Sequence, residues 1–339
     1  MRTTDFDYFL PEECIAQRPA KPRDSSRLLV FNRDDDRVEH RIFHQLPDYL
    51  NANDVLVLNE TRVIPARLKA RKIPAGGRAE VLLLHRLGDM TWEVMVGGSG
   101  LKPGRKLQIV NGPQAQIHED LGGPRRVVVF SEAITPILDR LGEMPLPPYI
   151  HTPLEENSEY QTTFAKHPGS AAAPTAGLHF TPRTIAAIED KGVRIVKITL
   201  HVGLDTFVPV REDDPNKHPI HSEWCHVPLD VIQAIKAAKE AGGKVVAGGT
   251  TTVRALETAA RTSPQQDISE FEGPTSLFIL PGFNFRVVDA MLTNFHLPRS
   301  TLLMMVSAFA SKEQILQLYK IATIEGYRFY SFGDAMLIL

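Results

Sequence analysis

Short apolar runs separated by Gly and Pro fill residues 62–130. From about residue 150 onward, compact apolar blocks alternate instead with stretches of helical spacing. In the first region AEVLLLHRL, MTWEVMVG, KLQIV and RRVVVF are rich in Val, Ile and Leu, and Gly-Asp, Lys-Pro-Gly and Gly-Gly-Pro part them. Strands this closely spaced predict a small barrel or sandwich. In the second region RTIAAIEDK reads as a short helix stopped by Gly192, and VRIVKITLHV as a strand. LDVIQAIKAAKEA repeats apolar residues at helical spacing and stops at Gly242 and Gly243. KVVAGG then reads as a strand, GTTT as a loop and VRALETAAR as a helix. Ser311 and Gln314 form a capping box for a helix that closes at Gly326. Helices alternating with strands predict α/β layers.

The first 60 residues hold only a couple of strands, too few for a core of their own, so they join the C-terminal α/β part. DVLVLNETRVIPARL carries a buried-type strand into the β region, and the three prolines of GEMPLPPYI hold an extended connector out of it. The expected organisation is a discontinuous α/β domain of residues 1–61 and 150–339, without a Rossmann fingerprint. A small, basic, all-β, barrel-like domain of residues 62–149 is inserted into it.

Composition adds limits. The chain has 339 residues, 43% hydrophobic and 23% charged, which excludes a disordered chain and leaves room for about two domains. The net charge of −2 conceals a segregation: residues 62–130 carry 12 Lys/Arg against 5 Asp/Glu, and the remainder nets −9. Arg62, Arg67, Lys69, Arg71, Lys72 and Arg78 fall in one window without an acid, an arrangement that suits an anionic partner as well as a solvated face. Two cysteines, Cys14 and Cys225, build no disulfide framework and point to a reducing compartment. The N-terminus lacks the apolar run of a secretion signal. LLMMVSAFA, the most apolar stretch, is too short to span a bilayer. The expectation is a soluble, cytoplasmic protein.

Several segments carry candidate chemistry. In VVAGGTTTVRALE, Gly248 and Gly249 let a ligand approach the backbone. Thr250 and Thr251 add hydroxyls where free helix N–H groups point outward, and Arg254 adds a cation. No Gly-Lys-Ser/Thr follows, so this is not a P-loop, and GxGxxG is absent. GSAAAPTAGLHF is poor in side chains and offers Thr175 and His179 as its polar hooks. His201 ends a strand beside Gly203, and His296 precedes a proline and a helix start. Ends of elements are where α/β folds hold their chemistry. HPIHSEWCH gathers His218, His221, Glu223, Cys225 and His226, all of metal-ligand type, but lacks paired CxxC or helical HxxxH spacing. An ion-paired or substrate-facing loop is the preferred reading there.

Taken together SRLLVF, VLNETRVIPARL, LGEMPLPPYI, GSAAAPTAGLHFT, TLHVGLDTF, HSEW, GTTTVRALE, TNFHLPRSTLLMMVSAFA and YRFYSFGDAMLIL span nearly the whole chain. In this order they resemble the S-adenosylmethionine:tRNA ribosyltransferase-isomerases of queuosine biosynthesis, the QueA family. Asp205 stands where that family usually has Gly, Val208 where it usually has Arg, and the glycine-rich stretch 97–104 is less basic.

The resemblance implies transfer and isomerisation of the ribosyl part of S-adenosylmethionine. The acceptor is the aminomethyl group of a 7-deazaguanine base at the wobble position of a GUN-anticodon tRNA. Epoxyqueuosine-tRNA forms, and adenine and methionine leave. It implies no metal, no prosthetic group, no membrane and a monomer. In that chemistry the amine and a carbon beside the sulfonium lose protons and adenine gains one, which suits histidine. His179, His201 and His296 are accordingly expected to line the site, with Glu223 orienting the sugar or the sulfonium. Thr175, Gly248, Gly249, Thr250, Thr251 and Arg254 are expected to hold the donor, and Asp334 is a weaker candidate. The basic window would meet tRNA phosphates. The rival classes are a metal-dependent hydrolase built on His218, His221 and His226, and a non-catalytic RNA-binding protein.

Overall fold

In a computed structural model, residues 1–203, 209–263 and 267–339 are described. The chain forms two compact units, one of residues 1–62, 148–167 and 173–339, the other of 63–147 and 168–172. Asp205 and Val208 lie outside the described residues.

The first unit is built on a nine-stranded sheet. Its centre is a parallel run of Arg194–Leu200, Val55–Asn59, Val245–Gly248 and Ala290–Asn294. Ala335–Ile338 adds antiparallel to the last of these, Arg27–Asn32 parallel to Ala335–Ile338, and Arg37–Ile42 closes that side as a hairpin partner. On the opposite side Glu223–Val227 and Phe271–Thr275 continue the sheet antiparallel. Val55–Asn59 and Ala290–Asn294 are buried at every position, as strands covered on both faces must be. Strand alternation sends Leu28, Val30, Leu56, Leu58, Val246, Leu292 and Leu337 to one face. There they pack with Phe43, Leu46, Phe180 and Ile188, the last from the Pro182–Asp190 helix. The Leu229–Glu240 and Thr250–Thr262 helices cover the other face. The α/β layering expected from the pattern is the observed one.

Local signals act as physics dictates. Thr181 caps the Pro182–Asp190 helix by accepting from the Thr184 N–H, and Pro182 sits at the first helical position. Ser311 and Gln314 close the expected capping box on Lys312–Ile324. One boundary differs. The stretch GTTT is not a loop, because Gly249, at φ 103°, turns the chain so sharply that the helix already begins at Thr250.

The second unit is a closed barrel of six antiparallel strands. In barrel order these are Arg67–Ile73, Arg78–Arg86, Thr91–Gly97, Arg125–Phe130, Gln114–Asp120 and Lys106–Ile109, the last pairing back onto the first. Leu68, Ala70, Val81, Leu83, Val94, Leu107, Ile109, Ile117 and Val128 fill its interior. Closure leaves the six strands without a free edge, which explains how such short strands form a stable unit.

Candidate active site

The parallel strands end side by side, the position at which open α/β sheets bind ligands. Two strands finish in asparagine, Asn59 in VLVLN and Asn294 in AMLTN. Asn59 ties the neighbouring ends together. Its Nδ2 donates to the Leu200 carbonyl at 3.0 Å and to Thr251 Oγ1 at 3.3 Å, and its Oδ1 accepts from the Leu200 and Thr61 N–H groups, both at 3.1 Å.

Beyond these ends lie two cavities that share Thr175, Asn294, His296 and Leu302 and so form two lobes of one cleft. The first lobe also has Tyr149, Ser300, Tyr330 and Ser331. The second is walled by Ala173, Pro174, Ala176, Gly249, Thr250, Thr251 and Thr293. The small-residue run has its reason here. A Cβ placed on Gly249 would stand 3.5 Å from the Ala176 methyl, so larger residues at 173–176 would fill the space.

Of the expected donor-holding residues, Thr175, Gly249, Thr250 and Thr251 come together in the cleft. Gly248 stands behind it, where a Cβ would strike Leu58 at 2.4 Å. Thr252 is occupied, donating to the Gly248 carbonyl at 2.9 Å. Arg254 is not a free cation. Its guanidinium forms a buried ion pair with Glu223 and also donates to the Leu277 carbonyl at 3.2 Å. Burial alone would raise Glu223, but the Arg254 charge and the His221 contact override it and hold the carboxyl at about 2. Glu223 also accepts the Gly203 N–H at 2.8 Å, so it secures the chain just after His201. Asp334 accepts the Arg27 and Arg328 backbone N–H groups and pairs with the Arg328 side chain at 3.2 Å, the geometry of a structural cap.

The three histidines occupy different settings. His296 lines both lobes. Its Nε2 meets Thr293 Oγ1 at 2.8 Å, Nδ1 has no hydrogen-bond partner among the described residues, and Tyr8 and Tyr319 clamp its backbone. Burial presses its pKa down to about 3. His201 stacks on Trp224 with centroids 5.2 Å apart and meets Thr61 Oγ1 at 2.9 Å. Burial, with a smaller contribution from His167, lowers it to about 4. It lines neither lobe, although its neighbour Val202 does. His179 sits behind the wall, its Nδ1 2.8 Å from Ser26 Oγ and its Nε2 3.2 Å from Asn294 Nδ2. Burial and the Arg328 and Arg23 charges lower it to about 3.

HPIHSEWCH does not converge. His218 pairs with Glu212, His221 with Glu223, and His226 lies 3.9 Å from Glu270. The Cys225 thiol is buried and pushed up to about 12. No group of three or more His, Cys, Asp or Glu suited to a metal ion occurs among the described residues.

The basic window divides between the units. Arg62 is exposed on the first. On the barrel, Arg67 pairs with Glu80 at 2.7 Å and Lys69 with Glu143. Arg71, Lys72 and Arg78 have no carboxylate partner among the described residues. An open groove on the barrel is lined by Lys69, Arg71, Arg78, Gly97, Gly98 and Val110.

Comparison with known proteins decides the family. The profile described as "Queuosine biosynthesis protein" matches residues 3–338. The chain belongs to this family. It is 50% identical to the S-adenosylmethionine:tRNA ribosyltransferase-isomerase of Symbiobacterium thermophilum and 48% identical to that of Halothermothrix orenii, each match covering 100% of both chains. The crystal structure of S-adenosylmethionine tRNA ribosyltransferase from Thermotoga maritima matches with 41% identity and a TM-score of 0.58, over 99% of this chain and 100% of that one.

Membership of the queuosine family was carried in the sequence by motifs spread along the chain. Asn59, Asn294, Thr293, Tyr149 and Tyr330 were not singled out there. For Asn59 the available signal was a polar residue closing an otherwise wholly apolar strand, VLVLN.

Proposed function

We propose that this protein is an S-adenosylmethionine:tRNA ribosyltransferase-isomerase. It transfers the ribosyl part of S-adenosylmethionine to the 7-aminomethyl-7-deazaguanine base at the wobble position of a GUN-anticodon tRNA and isomerises it. The products are epoxyqueuosine-tRNA, adenine and methionine. The observation that carries this reading is identity of about one half over the full length of relatives bearing that name. A two-lobed cleft at the sheet's C-terminal edge, walled by hydroxyls and small residues, supports it.

In this reading Thr175, Thr250 and Thr251 hold hydroxyl or carboxylate groups of the donor near the N–H groups that open the Thr250–Thr262 helix. His296 moves protons. Burial keeps the free ring neutral, so it starts as a proton acceptor, and the proton it takes up from the reacting groups can then pass to departing adenine. His201 is a second proton carrier at the neighbouring strand end. The Glu223–Arg254 pair braces the chain at Gly203 instead of meeting the donor, since each already satisfies the other. Arg62, Arg71, Lys72 and Arg78 meet tRNA phosphates, with Arg67 and Lys69 contributing less because carboxylates already engage them. The protein works without metal, as a cytoplasmic monomer. Among the described residues no helix is long and apolar enough to cross a membrane.

The deciding experiment mixes the protein, S-adenosylmethionine and tRNA carrying the aminomethyl base. Free adenine, formed only when all three are present, is the expected result. Its absence overturns the proposal, and absence of S-adenosylmethionine binding by calorimetry would favour a purely RNA-binding role.

A further inference from the structure

Asn294 ends the Ala290–Asn294 strand, is 2% exposed and lines both lobes of the cleft. Its amide nitrogen donates to the Tyr330 carbonyl at 3.1 Å and lies 3.2 Å from His179 Nε2. A carbonyl only accepts, so the nitrogen must be the atom on that side. The oxygen is therefore the end left to answer a ligand, and this buried Oδ1 has no hydrogen-bond partner among the described residues. Buried amide oxygens are rarely left without a donor, because removal from water then goes uncompensated.

The same geometry fixes the state of His179. Its Nε2 faces a donor and must accept, so the ring hydrogen sits on Nδ1 and points at Ser26 Oγ, 2.8 Å away. Phe43 stacks on the ring with centroids 5.0 Å apart, and Ser26 and His179 are 2% and 4% exposed. A neutral histidine with both nitrogens committed and no cleft surface is poorly placed to exchange protons with a substrate. It is well placed to hold an amide in one orientation.

We propose that Asn294 Oδ1 accepts a hydrogen bond from an N–H or O–H group of the bound sulfonium nucleoside, and that His179, anchored by Ser26, is a positioning residue that aims this amide. The inference rests on S-adenosylmethionine being the donor, and it moves His179 out of the set of proton carriers. Three parts of that molecule offer the required chemistry: the adenine amine, the ribose hydroxyls and the methionyl ammonium.

The test is calorimetric binding of S-adenosylmethionine and of analogues lacking the adenine amine, the 2′-hydroxyl, the 3′-hydroxyl or the α-amine. Each is titrated into the wild-type protein and into Asn294→Ala, with Asn294→Ser in its place if the alanine variant does not fold. One analogue should bind the wild type ~10-fold more weakly than the parent, and that loss should vanish in the variant. The analogue that behaves so identifies the donor group. Losses that are the same in wild type and variant overturn this inference alone. A wild type that binds no S-adenosylmethionine overturns the donor reading and this inference with it.

For His179→Ala, which removes the acceptor facing the amide, KM for the donor should rise ~10-fold while the pH profile of kcat is unchanged, and His179→Gln, which keeps an acceptor at the ring's far end, should recover most of that loss. A fall in kcat of ~100-fold at constant KM, with an altered pH profile, would return His179 to proton transfer.

Discussion

The Glu223 carboxylate and the Arg254 guanidinium pair out of water, their side chains 1% and 7% exposed. Removing one charge leaves the other buried and uncompensated, which is far costlier than removing both. Arg254→Met should cost ~3–5 kcal/mol of stability. The double variant Glu223→Gln/Arg254→Met should recover a large part of that loss. Urea denaturation of the full chain measures both, and a single variant as stable as the wild type would show that the pair has no bracing role.

Stability should fall early on acidification. Burial holds His179 and His296 near 3 and His201 near 4 in the folded chain, against an ordinary histidine value of 6.5. Below 6.5 the unfolded chain takes up a proton at each while the folded chain does not, so acid favours unfolding. The contribution is complete above pH 6.5 and is lost between there and about 3, at ~1.4 kcal/mol per pH unit for each residue. Glu223 and Asp24, whose ion pairs outweigh burial and hold both at about 2, add their loss only at lower pH. With all three rings counted, denaturation near pH 7.5 and pH 5.5 should differ by ~3–4 kcal/mol. Equal stability at the two would contradict the buried neutral state.

On the barrel, Arg71 lies directly opposite Arg78 across two antiparallel strands. Like charges in that position repel, at a cost of ~0.2–1 kcal/mol. Arg78→Gln should therefore leave stability unchanged or slightly raised while weakening tRNA binding. The slope of log affinity against log salt should flatten by ~1. Fluorescence anisotropy across about 50–200 mM salt reads the slope directly, and an unaltered slope would remove this hairpin from the tRNA surface.

His296→Ala should lower adenine release at least ~100-fold while S-adenosylmethionine still binds, because the ring lines the cleft with one nitrogen uncommitted. His201→Ala should lower it less, since that ring lines neither lobe. Quench-flow assay of adenine and calorimetry of the donor separate the two effects. A His296→Ala enzyme with wild-type turnover ends the assignment.

The layers were readable because they rest on local periodicity. Leu56 and Leu58 alternate with Val55 and Val57, and Ser311 announces its helix three residues ahead of Gln314. The site was less readable because its partners are remote along the chain. Arg254 looks like a free cation until Glu223, 31 residues away, is placed against it. Asn294 reads as a turn former until Tyr330 and His179, 36 and 115 residues distant, claim its nitrogen. The start of the Thr250–Thr262 helix was missed for a different reason. A threonine run has weak propensity for a helix interior, and the turn is made by the backbone of Gly249.

The pairing of Leu28 with Ala335 carries a consequence for how the molecule assembles during synthesis. The early strand emerges more than three hundred residues before its parallel neighbour, so its open edge must be shielded or tolerated throughout translation. The barrel depends on much nearer pairings and can consolidate while that edge still waits. Chaperone demand should accordingly concentrate on the discontinuous layer, whose closure is the last and slowest event.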